Sequence, residues 1–234
     1  MNNGQLEYRI PFRLVTYIWI SIAIATAVSA VWTYPFTELL VFIFVVFLWS
    51  DIGSAILHYA MDSPEFTTLP IVGESVFSEF QSHHFPKWIN TIYQKPVIDL
   101  LGQLNFVAWV GLPLPIIYFG LSDQSIYVAW AFLMLGGCYA QMCHRWAHQP
   151  RRSRSFVAIA LQRSSLAIKP VSHFSHHNHE CYGINFAIGS GWSNPLMNWI
   201  FQLVPSRVFW LLILILALFS QVFWFRLLLH WIQP

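Results

Sequence analysis

Charge is what this chain has least of. Only 9% of its 234 residues are Asp, Glu, Lys or Arg, against roughly 25% in an ordinary soluble domain. With 56% hydrophobic and 18% aromatic residues, it cannot cover a water-facing surface, and it reads as an integral membrane protein. A net charge of only +2 supplies no basic face for nucleic acid, so no nucleic-acid partner is expected. The three cysteines, Cys138, Cys143 and Cys181, have no CxxC spacing. They read as small apolar side chains rather than a disulfide or zinc framework. A glycine fingerprint for a dinucleotide and a CxxCH haem attachment are missing too, so any reducing power must come from outside the chain. Repeats, low-complexity tracts and flexible linkers are likewise absent, and residues 1–234 read as a single membrane domain. The polar start, Met1 to Arg13, enters an apolar run without a small-residue cleavage site, which predicts a retained first helix.

What is present is apolar sequence of membrane length. About 20 apolar residues span the hydrocarbon core as a helix. Leu14–Trp32, Leu39–Leu57, Leu100–Leu121, Ile126–Cys143 and Val208–Leu229 are the candidates. The third carries Gln103, Asn105, Pro113 and Pro115, so a kinked or shallow segment is expected there. The prediction is an all-α membrane protein with four or five spanning helices. Arg9 and Arg13, Lys87 and Lys95, and the basic residues from Arg145 to Arg207 fall on one side if the helices alternate, with Arg226 alone out of place. That side is expected to be cytoplasmic. Two apolar loop segments, Ser155–Ile168 and Pro195–Val204, suit helices lying flat at the membrane interface; packed cap helices without a lipid role fit them equally well.

Nine of the ten histidines gather in four clusters on that same side. They are His58 with Asp62, His83-His84, His144 with His148, and His173, His176, His177 and His179. His230, alone in the last apolar run, reads as an interfacial residue. Residues three or four apart share a helix face, so His58 with Asp62, His144 with His148, and His173 with His176 and His177 each present convergent ligands. The adjacent pair His83-His84 cannot share a helical face, but both rings can bind across a gap between two ions. Imidazoles with one carboxylate suit iron, zinc or copper better than magnesium or calcium. A structural zinc needs four ligands, so this many imidazoles fit two ions, and the expectation is a histidine-rich metal-binding cap. Asp51, inside an apolar helix and two turns before His58, needs a partner. Accepting the second ring N–H of a ligand would supply one.

These residues resemble the lipid desaturase family that contains plasmanylethanolamine desaturases and chloroplast trans-3 acyl-lipid desaturases. The resemblance lies in Asp51 seven residues before His58-Tyr59-x-x-Asp62, then Leu69-Pro70-Ile71-Val72-Gly73 and His83-His84. It continues through His144-Arg145-Trp146-Ala147-His148, His173-x-x-His176-His177, His179-Glu180 and Gly191-Trp192-Ser193-Asn194. The chain departs from the family pattern at Phe85-Pro86-Lys87, at Ser172 where the family doubles a histidine, and by two missing residues before His179.

The resemblance implies two iron ions held by His58, Asp62, His83, His84, His144, His148, His173, His176, His177 and His179, with Asp51, Glu180 and Asn194 supporting the ligands. It implies dioxygen as co-substrate, an external electron donor such as cytochrome b5 or ferredoxin, and desaturation of an acyl or alkyl chain of a membrane phospholipid. Conversion of plasmanylethanolamine to plasmenylethanolamine is one such reaction, and the departures leave the substrate open. The implied setting is the cytoplasmic face of the endoplasmic reticulum or of a bacterial inner membrane. A di-iron hydroxylase is the nearest alternative. A metal transporter would place its ligands along a path near the bilayer midplane, not at helix ends and in loops.

Overall fold

The computed structural model describes residues 3–70, 79–84, 94–111, 124–178 and 183–232. Every element of regular structure among them is helical. In chain order the helices are α1 (Asn3–Thr33), α2 (Phe36–Met61), α3 (Val97–Leu101), α4 (Asn105–Gly111), α5 (Gln124–His148), α6 (Phe156–Arg163), α7 (Pro170–Asn178), α8 (Asn194–Leu203) and α9 (Ser206–Ile232). A single turn at Glu79–Gln81 runs into a 3-10 turn at Ser82–His84, and further 3-10 turns lie at Pro64–Phe66, Gly102–Leu104 and Arg151–Ser153.

Three helices are long and apolar enough to cross a membrane: Pro11–Thr33, Phe36–Met61 and Ser125–His148. Helices α8 and α9 add a fourth span if taken together, although they bend by 98° at their junction. The expectation of four or five spans therefore resolves to three or four among the described residues. The third candidate, Leu100–Leu121, is not one continuous helix where it is described. It breaks at Gly102–Leu104 between α3 and α4, next to Gln103 and Asn105, and residues 112–123 lie outside the described residues.

Only 22% of the α1 and α2 spans is buried, and Leu14, Ile18, Trp32, Phe36 and Val41 all stand exposed. Such surfaces are tolerated only where lipid replaces water. The buried faces are built from small residues that let helices approach closely. Ala23 of α1 meets Trp130, Ala131 and Met134 of α5 in one cluster, and Ala30, Leu39 and Val128 join α1, α2 and α5 in another. Helix α5 is thereby the central post against which α1 and α2 both pack.

Polar ties fix the broken α3–α4 segment to α1. Arg13 holds Asp99 through two hydrogen bonds of 2.5 and 2.7 Å. Asn105 Oδ1 accepts from Trp19 Nε1 at 2.6 Å and from Thr16 Oγ1 at 2.9 Å. These partners account for Asn105 in the apolar run, while Gln103 is exposed. Replacing Asn105 with Leu strands the Trp19 indole N–H, while Thr16 Oγ1 keeps Phe12 O at 2.9 Å, and a buried unmade hydrogen bond costs about 1–3 kcal/mol. The variant should unfold at lower temperature in detergent, read by loss of helical circular dichroism, while its metal content stays that of the unmodified protein.

Candidate metal centre

The histidines sit where helices end. His58 lies in the last turn of α2, and Asp62, its C-terminal cap residue, follows four positions later with its N–H bonded to His58 O at 2.9 Å. His144 and His148 close α5, and His173, His176 and His177 lie on one face of the short helix α7. His83 and His84 lie in the 3-10 turn Ser82–His84. All nine of these side chains are buried.

They converge into two groups of four. In the first, His58, Asp62, His84 and His176 place one ligand atom each within 4.8 Å of one another. In the second, His83, His144, His148 and His177 do the same. Both adjacent pairs on the chain are split between the groups: His83 from His84, with ring planes 86° apart, and His176 from His177, 82° apart. Perpendicular neighbours aim one ring at each group, which is how residues that cannot share a helical face both become ligands. His173 joins the second group from its edge, with Nε2 at 2.8 Å from His148 Nε2 and 3.0 Å from His177 Nε2.

Ring orientation argues for cations in these gaps. His58 Nδ1 donates to Phe186 O at 2.9 Å, His176 Nδ1 to Ile184 O at 2.8 Å, and His83 Nδ1 to Phe80 O at 2.5 Å. A carbonyl only accepts, so Nδ1 carries the proton in each ring and Nε2 presents a lone pair. His58 Nε2 and His176 Nε2 then face Asp62 Oδ2 at 3.2 and 3.1 Å, and His84 Nε2 lies 3.2 Å from Asp62 Oδ1. Lone pairs aimed at a carboxylate across such a gap repel unless a positive charge sits between them. His83 Nε2 is buried with no hydrogen-bond partner. The donor set, imidazoles with one carboxylate, matches the preference of iron, zinc or copper.

Electrostatics act in the same direction. Burial, followed by the neighbouring rings, pushes the pKa values of His83, His173 and His177 below the ordinary histidine value, so these rings stay neutral and free to bind a cation. The rings protonate more readily in the unfolded chain than in the folded one. Their contribution to stability is complete above the unfolded value near 6.5 and is lost as the pH falls below it, by up to about 1.4 kcal/mol per pH unit for each ring that must stay neutral. Thermal unfolding of the metal-free protein should therefore drop in midpoint between pH 7.5 and 5.5. Bound metal should be released over the same interval, as measured by elemental analysis after desalting.

Asp51 has a different role from the one its position suggested. The sequence suggests that it accepts a hydrogen bond from the second ring N–H of a ligand; its four side-chain hydrogen bonds instead all go to the segment after α7. Oδ1 accepts from Ser190 N at 2.6 Å and Gly191 N at 3.0 Å, and Oδ2 accepts from Ser193 N at 2.9 Å and Ser193 Oγ at 2.8 Å. Asn194 also bonds to the main chain: its Oδ1 accepts from Ala187 N at 2.8 Å. His179 and Glu180 lie outside the described residues. The parts that sequence reasoning missed are the main-chain carbonyls of Phe80, Ile184 and Phe186. A carbonyl is common to every residue, and the one available signal was the Gly-Trp-Ser-Asn run that ends this segment. Gly191 has φ +80 there, a left-handed conformation that favours glycine.

A helical protein with apolar helices of membrane-spanning length and a buried, histidine-rich cluster suited to metal is thus the class that fold and site define. The sequence profile of the lipid desaturase domain matches residues 47–210, and the chain belongs to that family. It is similar to fatty acid desaturase 4, chloroplastic, of Arabidopsis thaliana, 30% identical over 152 residues that cover 64% of this chain and 45% of that protein. A second Arabidopsis thaliana protein, fatty acid desaturase 4-like 2, chloroplastic, is 26% identical over 66% of this chain and 53% of its own length. The plasmanylethanolamine desaturase of Myxococcus xanthus is 23% identical over 191 residues, 77% of this chain and 63% of that protein. The chain spans about half the length of the chloroplast relatives it matches. No solved structure matches it significantly.

Proposed function

We propose that this protein is an oxygen-dependent lipid desaturase that introduces a double bond into an acyl or alkyl chain of a membrane phospholipid. One observation carries the reading: two adjoining four-ligand groups, buried at the ends of apolar helices long enough to span a bilayer. Family membership and the desaturase names of its relatives support it. Two iron ions held there would supply the dioxygen chemistry by which a saturated C–C unit gives up two hydrogens, with two outside electrons and two protons completing the reduction of dioxygen to two waters.

The chain's residues do the rest. His58, Asp62, His84 and His176 hold one ion, and His83, His144, His148 and His177 hold the other, with His173 beside the second group. His179 is a further proposed ligand and Glu180 a proposed support. The carbonyls of Phe80, Ile184 and Phe186 fix which ring nitrogen of three of these histidines bears a proton. Phe186, Ala187, Met197 and Phe201 pack against Ala55 and keep bulk water from the α2 side of the site. The basic residues fall on the ligand side, which supports a site at the cytoplasmic face of the endoplasmic reticulum or a bacterial inner membrane. A soluble or membrane-bound carrier such as cytochrome b5 or ferredoxin can reach it there.

The test is lipid mass spectrometry of cells with and without the protein. The expected result is one phospholipid class, plasmenylethanolamine among those to be examined, that appears two hydrogens lighter than its precursor only when the protein is present. A product heavier by one oxygen would replace desaturation with hydroxylation, and unchanged lipids would overturn both.

A further inference from the structure

The segment between α7 and α8 supplies two of the carbonyls that orient metal-facing rings, Ile184 O for His176 and Phe186 O for His58. Both rings belong to the group that contains Asp62. The carbonyl that orients His83 in the other group comes from Phe80, on a different part of the chain. Residues 183–193 have no helix of their own, and side chains hold them in place. Asn198 Oδ1 accepts from Asn185 N at 2.8 Å, Asn194 Oδ1 from Ala187 N at 2.8 Å, and Ser54 Oγ from Ile188 N at 3.2 Å. Asp51 makes the largest attachment, with three backbone N–H groups and one hydroxyl on a single carboxylate.

From this arrangement we infer that Asp51 is a positioning residue for one ion site only: by clamping the 190–193 turn it sets the register of the Ile184 and Phe186 carbonyls, and so the aim of His176 and His58. The chemistry fits this role. A buried carboxylate in an apolar helix needs donors to offset the loss of water, and four convergent donors provide them. Helix α2 carries both Asp51 and His58, so the clamp fixes the segment to the same rigid rod that bears one of the rings it orients. The fit is tight. A Cβ added at Gly189 would lie 2.8 Å from Asp51 Oδ1, so Gly189→Ala displaces the carboxylate without changing any charge.

The inference rests on the two-ion reading, and its test separates the two. Metal-free full-length protein in detergent is titrated with Co(II), and the visible absorption of the bound ion is followed. Wild type should take up two ions. Asp51→Asn keeps an acceptor toward Ser190 and Gly191 but puts an N–H₂ group against the Ser193 N–H. It should weaken one binding step by roughly 10–100-fold and leave the other unchanged, the range found when an outer partner of a ligand is lost. Gly189→Ala should weaken the same step. The affected step should be the one whose spectrum changes in Asp62→Ala. Equal weakening of both steps, or of neither, in variants of unchanged helical content would overturn the inference. Wild-type protein that takes up fewer than two ions would overturn the two-ion reading and the inference with it.

Discussion

Asp62→Ala should lower product formation by more than about 100-fold and strip metal from the site that contains it. Loss of an outer partner alone costs roughly 10–100-fold in affinity or activity, and in the proposed site Asp62 is a ligand rather than an outer partner. Its two oxygens lie 3.1 to 3.2 Å from the ring nitrogens of His58, His84 and His176. Asp62→Asn sharpens the comparison. The amide is neutral and can donate to imidazole lone pairs, so the metal-free variant should be at least as stable as metal-free wild type, in which a buried carboxylate faces neutral rings. Its activity should fall with that of the alanine variant. Stability and activity then move in opposite directions, which a residue of purely structural importance would not produce. The measurements are product per protein, metal per protein and the thermal midpoint of the metal-free form. Wild-type turnover in either variant would remove Asp62 from the site.

The second large effect is expected at His173. This ring is fully buried and lies outside both four-ligand groups, yet its Nε2 is within 3.0 Å of those of His148 and His177. A spectator at that position would be an unusual use of a buried imidazole. His173→Ala should abolish turnover and lower the metal bound by the second group. His173→Gln, which keeps a polar terminus but not the ring nitrogen's basicity, should rescue folding without rescuing activity. Full activity in the Gln variant would make the ring a packing element.

Much of this site is legible in the sequence because its signals are local. His144 and His148, or His58 and Asp62, are four residues apart on helices that their apolar runs already announce, and that spacing alone brings the paired side chains onto one face. The splitting of His83 from His84 is legible in part, since two neighbouring residues can serve two ions only by turning apart. What the sequence does not show is long-range and carried by the main chain. Asp51 is 139 to 142 residues from the donors it meets, and no periodicity marks a carboxylate that clamps a distant turn. The break between α3 and α4 is another such case. Gln103 and Asn105 mark the irregularity, but the Asn105 contacts with Thr16 and Trp19 that make it tolerable come from another helix.

Orientation of three ligand rings by carbonyls rather than carboxylates has an electrochemical consequence. A carbonyl fixes a ring's tautomer without adding negative charge, and the two ligand groups among the described residues contain only one carboxylate. Ions held there are surrounded almost wholly by neutral donors. Such an environment penalises each further positive charge on the metal, so it favours the lower oxidation state of any redox-active ion and raises its reduction potential relative to a carboxylate-rich site.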